Sequence, residues 1–206
     1  MSGLKNSKLG QAWLILLLSL IFGGALAAVQ LTLGPQIEAN KLTETRAKVP
    51  SLLLEKLEDT GTTLINFHDI VIEKSGQTVN YMVAEAIQDD EFKGWVIKAS
   101  GAGYADKIEL LFGVNPKVEK IGGIFILDQK ETPGLGNKIV EEGWRNQFAQ
   151  KPLDQPLVAT KTKATQPNEI DAITGATISS VAVTDIINTA VADLRAPLQQ
   201  RLEQKQ

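Results

Sequence analysis

The sequence predicts an α+β protein with one N-terminal transmembrane helix, followed by a single domain in which helices flank an antiparallel sheet. Three observations support this prediction. An apolar run without charges begins at Leu9 of the 206-residue chain, five segments rich in β-branched and aromatic residues follow, and two segments with helical spacing come last. Strands in one block and helices in the next are typical of α+β domains.

The N-terminal segment Leu9–Leu33 is apolar and carries no charge. A helix needs about 20 apolar residues to cross a bilayer core, so this run is long enough. A cleaved signal peptide is the alternative, with Lys5 and Lys8 as its basic region, Trp13–Phe22 as its apolar core and Ala25–Ala27 as its cleavage site. The retained anchor is favoured because the apolar character continues past that site to Leu33.

Local signals then divide the rest of the chain. Gly34 and Pro35 predict the end of the apolar helix, and Gln36–Lys48 is polar with good helix formers. Pro50 is expected to break that helix before a short one at Leu52–Leu57. We therefore predict a stub at 1–8, a transmembrane helix at 9–33, a helical linker at 34–60, one domain at 61–197 and a frayed tail at 198–206.

The region after Gly61 has the composition of strands, with alternating patterns such as Val79–Val83. Turn signals, among them Asn115-Pro116, separate the segments. The predicted strands are Thr62–Ile72, Thr78–Ile87, Phe92–Ala99, Lys107–Gly113 and Val118–Leu127. Two helices are predicted after them, at Asn137–Ala149 and Ser179–Leu194, because their apolar residues recur at helical spacing.

The composition excludes several classes of site. Without Cys and with one His, the chain cannot build a thiolate zinc site, a Cys-ligated iron–sulfur cluster or an imidazole triad, and we predict no metal site. The 21 basic against 24 acidic residues argue against a nucleic-acid surface. His68 is predicted to be structural or at the surface, Asp89–Glu91 to be a solvated turn, and Trp95 and Trp144 to be core residues.

The segment Asp171–Ser180 leads directly into the last predicted helix and has two interpretations. It is either a capping turn, in which hydroxyl and carboxylate oxygens satisfy free amides, or an anion site at a helix N-terminus. Gly175 and Ala176 are small enough for a bulky ligand to approach the backbone. The hydroxyl of Thr177 would then lie next to a bound phosphate.

The segment Glu131–Gly136 likewise has two interpretations. Pro133 followed by Gly134 favours a type II turn, with Gly at the position of positive φ. The turn is either a plain connector between a strand and a helix, or a loop that places Thr132, Leu135 and backbone amides against a flat ring.

Both segments resemble signatures of one family. Asp171–Thr177, which reads Asp-Ala-Ile-Thr-Gly-Ala-Thr, resembles the flavinylation motif of FMN-binding domains, in which the last Thr is esterified to the FMN phosphate. Glu131–Gly136, which reads Glu-Thr-Pro-Gly-Leu-Gly, is similar to a second signature. The order of the features resembles the G subunits of Rnf electron-transport complexes, with the C subunits of Nqr as close relatives, and the compact chain favours the Rnf type. Gly101–Asp106 departs from the family by having Ala where Gly is common.

The resemblance implies a cofactor site and no catalytic residue of the chain's own. FMN would be joined to Thr177 by a phosphoester, with Thr174 and Ser179 hydrogen-bonded to the phosphate and Glu131, Thr132 and Leu135 bordering the ring. Asp171 would serve recognition or hydroxyl activation during attachment. The complete predicted set of cofactor-binding residues is Thr177, Thr174, Gly175, Ala176, Ser179, Glu131, Thr132, Leu135 and Gly136.

The resemblance also implies the setting. A separate flavin transferase would attach the FMN, and the chain would relay electrons between other integral membrane subunits of an ion-translocating complex in the inner membrane. The charges that flank the span do not decide its orientation; the resemblance places the domain on the periplasmic side. Two alternatives remain open: a membrane-tethered assembly module without redox function, and a soluble exported flavoprotein.

Overall fold

The computed structural model describes residues 8–53, 63–74 and 76–204, and the chain divides into two compact units, Met1–Glu44 and Thr45–Gln206. The predicted architecture of an N-terminal apolar helix, an antiparallel sheet and flanking helices is confirmed. The α-helices are α1 (Lys8–Leu52), α2 (Glu142–Arg145) and α3 (Thr177–Glu203), and the strands are β1 (Thr63–Lys74), β2 (Gln77–Gln88), β3 (Glu91–Ala102), β4 (Lys107–Val114), β5 (Ile121–Asp128), β6 (Val158–Thr160) and β7 (Glu169–Asp171).

The first unit contains helix α1 as far as Glu44, and α1 is long and apolar enough to cross a membrane. Apolar side chains from Trp13 to Leu33 are exposed. The prediction that this helix ends at Gly34-Pro35 is wrong, because α1 continues through both residues. Proline removes one backbone hydrogen bond from a helix, but the good helix formers of Gln36–Lys48 continue it beyond that point.

The second unit is built on a five-stranded antiparallel sheet with the strands in the order β1-β2-β3-β4-β5. All five predicted strands are confirmed, with ends shifted by up to three residues. Strand β5 begins late, at Ile121, because Val118 has a φ of 58° in a turn closed by Asn115. The Asn115 side chain accepts from the amides of Glu119 and Lys120 and so fixes that turn.

Helix α3 covers one face of the sheet. Its buried residues Val183, Ile187 and Leu194 pack with Ile97 and Phe112 of the sheet in the main hydrophobic core. The predicted helix is confirmed, but the predicted tail at 198–206 is wrong at its start, since α3 runs to Glu203 and Leu198 is fully buried. Burial of Leu198 extends the helix beyond Pro197, whose missing N–H weakens it.

The last turn of α1 covers the opposite face. Pro50 does not break the helix at the predicted place, because Val49, Leu52 and Leu53 are buried against Leu111 and its neighbours. Most of the predicted helix Leu52–Leu57 lies outside the described residues.

One arginine and one lysine side chain complete the contact between α1 and this face of the sheet. Arg46 lies 5.3 Å from the ring centre of Phe67, and Lys48 lies 4.5 Å from that of Phe125. Both distances are within the range of favourable cation–π contact. The end of α1 is therefore part of the domain's second core.

The predicted helix Asn137–Ala149 is wrong as a single element. A 3₁₀ helix at Gly136–Val140, helix α2 and a 3₁₀ helix at Asn146–Phe148 take its place. Glu141 interrupts the helical bonding with an extended backbone (φ −67°, ψ 131°). The break turns Trp144 so that its indole N–H donates to the carbonyl of Asp171 at 2.9 Å.

Strands β6 and β7 form a separate two-stranded parallel sheet that the sequence pattern did not predict. Each strand has three residues, which is too short for a recognisable alternation. The pair directs the chain toward the start of α3.

The close approach of α1 to the sheet generates a stability prediction. A Cβ on Gly113 would lie 1.9 Å from the carbonyl oxygen of Leu52, whereas a Cβ on Gly123 would make an ordinary 3.6 Å contact with the Leu52 side chain. We expect Gly113→Ala to lower the free energy of unfolding by about 1–3 kcal/mol, as overpacked cores do. Gly123→Ala should be near neutral, and urea denaturation that gave equal losses for both variants would contradict this packing.

A second prediction concerns pH. The Tyr81 hydroxyl donates to Asp193 at 2.9 Å, and burial, together with that hydrogen bond and the Asp193 charge, raises the pKa of Tyr81. Above about pH 10 the unfolded chain loses this proton while the folded chain keeps it, so stability should fall as pH rises. In urea titrations from about pH 9 to 11, Tyr81→Phe should reduce that slope, and Tyr104→Phe, which changes an exposed ring, should not.

Candidate functional site

One end of the sheet carries a cavity of about 480 Å³. Its size lies within the range of about 300–1,000 Å³ usual for small-molecule sites. Strands β3 and β5 both end there because they run in the same direction within the antiparallel order. Four segments line it: the β3–β4 turn, the loop after β5, the segment after β6 and the start of α3. The lining residues are Tyr104, Thr132, Leu135, Gly136, Lys161, Gly175, Ala176, Thr177, Ile178 and Ser179.

The start of α3 forms one wall of the cavity. Ala176 is the residue at the helix cap, and no side chain caps the helix. Ser180 makes the first helical hydrogen bond, to the carbonyl of Ala176 at 3.1 Å, so the amides of Thr177 and Ile178 have no acceptor within the helix. The structure therefore does not support the side-chain capping interpretation, and the helix N-terminus offers its N–H groups and partial positive charge to an anion.

The loop after β5 forms the facing wall. The amide of Leu135 donates to the carbonyl of Thr132 at 3.1 Å, and Gly134 has a φ of 75°, as the type II turn requires. Gly136 lies directly against α3, because a Cβ there would lie 2.6 Å from the Ser179 hydroxyl. The missing side chain of Gly136 brings the two walls together.

Glu131 and Ser179 differ in arrangement from the prediction, in which Glu131 borders the flavin ring and Ser179 is hydrogen-bonded to the phosphate. The Glu131 side chain is 4 % exposed and is not among the lining residues. One carboxylate oxygen accepts from the amide of Ala105 at 3.0 Å, and the other accepts from the hydroxyl of Ser179. The Ser179 hydroxyl is thus directed at Glu131, and the backbone amide of Ser179 remains for a phosphate.

Two further predicted residues lie outside the lining. Thr174 is exposed on the turn before α3. The Asp171 carboxylate accepts from the amide of Ala164, and its backbone N–H donates to the Gln147 side chain at 2.8 Å. Asp171 therefore joins the segment after β6 to the α2 region, and a role in flavin attachment stays a prediction.

Three lining residues were absent from the predicted set. Tyr104 and Ile178 are 64 % and 58 % exposed and give the mouth of the cavity apolar surface. Among the described residues that line the cavity, Lys161 is the one that carries a charge. Tyr104 stands in the segment that departs from the family pattern, and Lys161 follows a strand that the sequence did not reveal.

The remaining candidates lie away from the cavity. His68 is in β1 with its ring nitrogen 3.3 Å from the Glu85 carboxylate, and Asp89 and Asp90 form the β2–β3 turn. Trp95 and Trp144 are buried. Across residues 8–53, 63–74 and 76–204, no cluster of three His, Asp or Glu side chains could hold a metal ion.

Comparisons with known proteins agree with this site. Residues 103–192, which include every lining residue, match the profile of the FMN-binding domain. Over 133 residues the chain is 36 % identical to the G subunit of a proton-translocating ferredoxin:NAD(+) oxidoreductase complex from Clostridium ljungdahlii, covering 65 % of this chain and 69 % of that protein. The chain belongs to the FMN-binding domain family.

Other relatives of this FMN-binding domain carry related names. The chain is 35 % identical over 125 residues to the G subunit of the Na(+)-translocating ferredoxin:NAD(+) oxidoreductase complex from Acetobacterium woodii, covering 60 % of this chain and 58 % of that protein. It is 30 % identical over 100 residues to the C subunit of the Na(+)-translocating NADH-quinone reductase from Yersinia pestis, covering 45 % of this chain and 38 % of that protein. The chain thus matches only 58 % of the length of the first of these two relatives and 38 % of the second.

Solved structures confirm the fold. NqrC from Shewanella oneidensis superposes with a TM-score of 0.55 at 22 % identity, covering 66 % of this chain and 69 % of that one. The C subunit of the Na(+)-translocating NADH-quinone reductase from Parabacteroides distasonis gives a TM-score of 0.54 at 21 % identity, covering 65 % of this chain and 78 % of that one.

The residues of the cavity fit FMN. The uncapped start of α3 and the Lys161 ammonium suit a phosphate, and the apolar side chains of Tyr104, Leu135 and Ile178 suit a flat aromatic ring. The site therefore contains both a charged and an apolar part, as this cofactor requires.

The backbone of Gly175 generates a prediction for the site. It has a φ of 80°, and an added Cβ would lie 3.1 Å from the Leu135 side chain inside the cavity. Gly175→Ala should lower the free energy of unfolding by about 1–2 kcal/mol and reduce the flavin content. The matched control is Gly143→Ala in α2, where a Cβ meets nothing within 4 Å; its stability and flavin content should equal or exceed those of the wild type. Losses of similar size in both variants would show that the Gly175 backbone has no special role.

Proposed function

We propose that this chain is the membrane-anchored flavoprotein subunit of an ion-translocating ferredoxin:NAD oxidoreductase complex of the Rnf type, and that it relays electrons through FMN joined covalently to Thr177. The observation that carries the proposal is the uncapped start of α3, where the Thr177 side chain lines a cavity of suitable size. The chain acts as an electron-transfer subunit, so we assign it no catalytic residue of its own.

Attachment forms one ester bond. The Thr177 oxygen bonds to the phosphorus of the FMN half of FAD, the pyrophosphate bond breaks, AMP leaves, and the hydroxyl proton passes to the leaving phosphate. A separate flavin transferase performs this step. The resulting phosphodiester keeps one negative charge, which the amides of Ile178 and Ser179 and the Lys161 ammonium stabilise.

The protein's contribution after attachment is to hold and orient the cofactor. The flavin supplies the ability to accept and donate electrons. Tyr104, Leu135 and Ile178 line the cavity and would exclude water from one side of a ring bound there. The covalent bond prevents loss of FMN from a domain outside the cytoplasm, where a dissociated cofactor would be diluted.

The choice of complex rests on the relatives. Two relatives, at 35 % and 36 % identity, are named as G subunits of ferredoxin:NAD(+) oxidoreductase complexes, whereas two Nqr relatives, named as C subunits, match at 30 % and 28 %. The C subunit of an Nqr-type sodium-translocating NADH:quinone reductase is therefore the alternative assignment. The other membrane subunits of the complex are the proposed partners.

The proposed location is the inner membrane, with one span and the flavin domain on the periplasmic side. Helix α1 supports the anchor because its apolar side chains between Trp13 and Leu33 are exposed. Exposed apolar surface of this extent is stable in lipid and unfavourable in water.

The attachment is tested by co-expressing the full chain with an active flavin transferase. Wild type should give a fluorescent band on a denaturing gel and a peptide carrying FMN less one water at Thr177, and Thr177→Ala should give neither. Thr189→Ala, which changes an exposed Thr later in α3, is the matched control and should keep the flavin. A wild type without flavin, or a fluorescent Thr177→Ala, would refute the proposal and favour a non-redox assembly module.

A further inference from the structure

The carboxylate of Glu131 lies in a compartment made by two glycines. A Cβ on Gly103 would lie 2.3 Å from one carboxylate oxygen, and a Cβ on Gly136 would lie 2.9 Å from the other. No side chain larger than hydrogen fits at either position while Glu131 stays in place. The buried carboxylate is therefore enclosed between the β3–β4 turn and the loop after β5.

The hydrogen bonds of Glu131 extend this contact to a third segment. Ala105 in the β3–β4 turn donates to one oxygen, and Ser179 in the first turn of α3 donates to the other. Each of these segments contributes lining residues, namely Tyr104, Gly136 and Thr177. Glu131 thus connects three of the four segments that form the cavity without lining it.

The charge of Glu131 is close to the cavity as well. Both oxygens accept hydrogen bonds, which is the pattern of an ionised carboxylate. The carboxylate contacts Gly136 and Ser179, which both line the cavity, so one residue separates it from the ligand space. A buried charge is weakly screened, and its field therefore reaches a ligand in the cavity.

We propose that Glu131 is the positioning residue of the flavin site and that its charge lowers the reduction potential of the attached flavin. Positioning follows from its hydrogen bonds, which hold the Tyr104 turn and the start of α3 in fixed relation to the loop after β5. The effect on potential follows from Coulomb's law, because reduction adds negative charge to the flavin and a nearby carboxylate opposes that addition. This inference rests on the proposed attachment at Thr177.

Two substitutions separate the two effects. Glu131→Gln keeps the shape of the side chain, since its oxygen can accept from Ala105 and its amide can donate to Ser179, but it removes the charge. Glu131→Ala removes both the charge and the hydrogen bonds. The matched controls are Glu119→Gln and Glu119→Ala, because Glu119 is exposed at the opposite end of β4.

Positioning is measured on the full chain produced without transferase. In Glu131→Ala, exchange of the hydrogen-bonded amides of Gly103, Ala105 and Ser180 should be roughly tenfold faster than in wild type, the change expected for loss of one hydrogen bond to a charged group. Glu131→Gln and the Glu119 variants should exchange like wild type. Should Glu131→Ala fail to fold, Ser179→Ala replaces it, with faster exchange expected at the hydrogen-bonded amide of Ser180. Unchanged exchange in the folded variant used would refute the positioning role.

The effect of charge is measured on flavinylated protein by reductive titration against reference dyes. The midpoint potential of Glu131→Gln should lie above that of wild type, and Glu119→Gln should match wild type. Equal potentials in Glu131→Gln and wild type would refute the electrostatic part. A wild type that carries no flavin would refute the proposed function, and the exchange measurement would still decide the positioning role.

Discussion

The two apolar faces of the five-stranded sheet must both be covered, and this requirement determines where the functional residues lie. The helices that cover these faces come from opposite ends of the domain's sequence. Helix α3 packs on one face and the last turn of α1 packs on the other. Because α3 buries residues along its whole length to Leu198, its first turn reaches the end of the sheet where β3 and β5 stop. The cavity is the space left between that turn and the two loops.

Within the site, some polar groups stabilise the structure and others are available to bind a ligand. The Glu131 carboxylate and the Ser179 hydroxyl are both buried, and the hydroxyl donates a hydrogen bond to the carboxylate. Buried polar groups need such partners because water does not reach them. Thr177 and its neighbours at the start of α3 line the cavity, and no side chain caps the helix there and competes with a ligand for its first amides. Ser179, which binds Glu131, and Thr177, which lines the cavity, are thus only two positions apart in the sequence.

The sequence predicted the parts of the fold whose local chemistry agrees with their tertiary environment. Strand-like composition, with alternation in several segments, located all five long strands, and Pro133 with Gly134 identified the turn beside the cavity. Prediction failed where distant contacts decide, as at Pro50, where burial of Val49 and Leu52 continues the helix, and at Glu141, where an extended residue splits a regular apolar pattern. Lys161 was not predicted, because only the pairing of two three-residue strands brings it to the cavity.

The enclosure of Glu131 by Gly103 and Gly136 has an evolutionary consequence. A methyl group at Gly103 would meet the Asp106 carbonyl oxygen at 2.7 Å as well as the carboxylate, and one at Gly136 would meet the Ser179 hydroxyl at 2.6 Å and the Glu131 Cβ at 2.9 Å. Shortening the acid therefore does not make room for a side chain at either glycine. Among descendants of this chain, both glycines should be retained even where position 131 changes, although they lie 33 positions apart in the sequence.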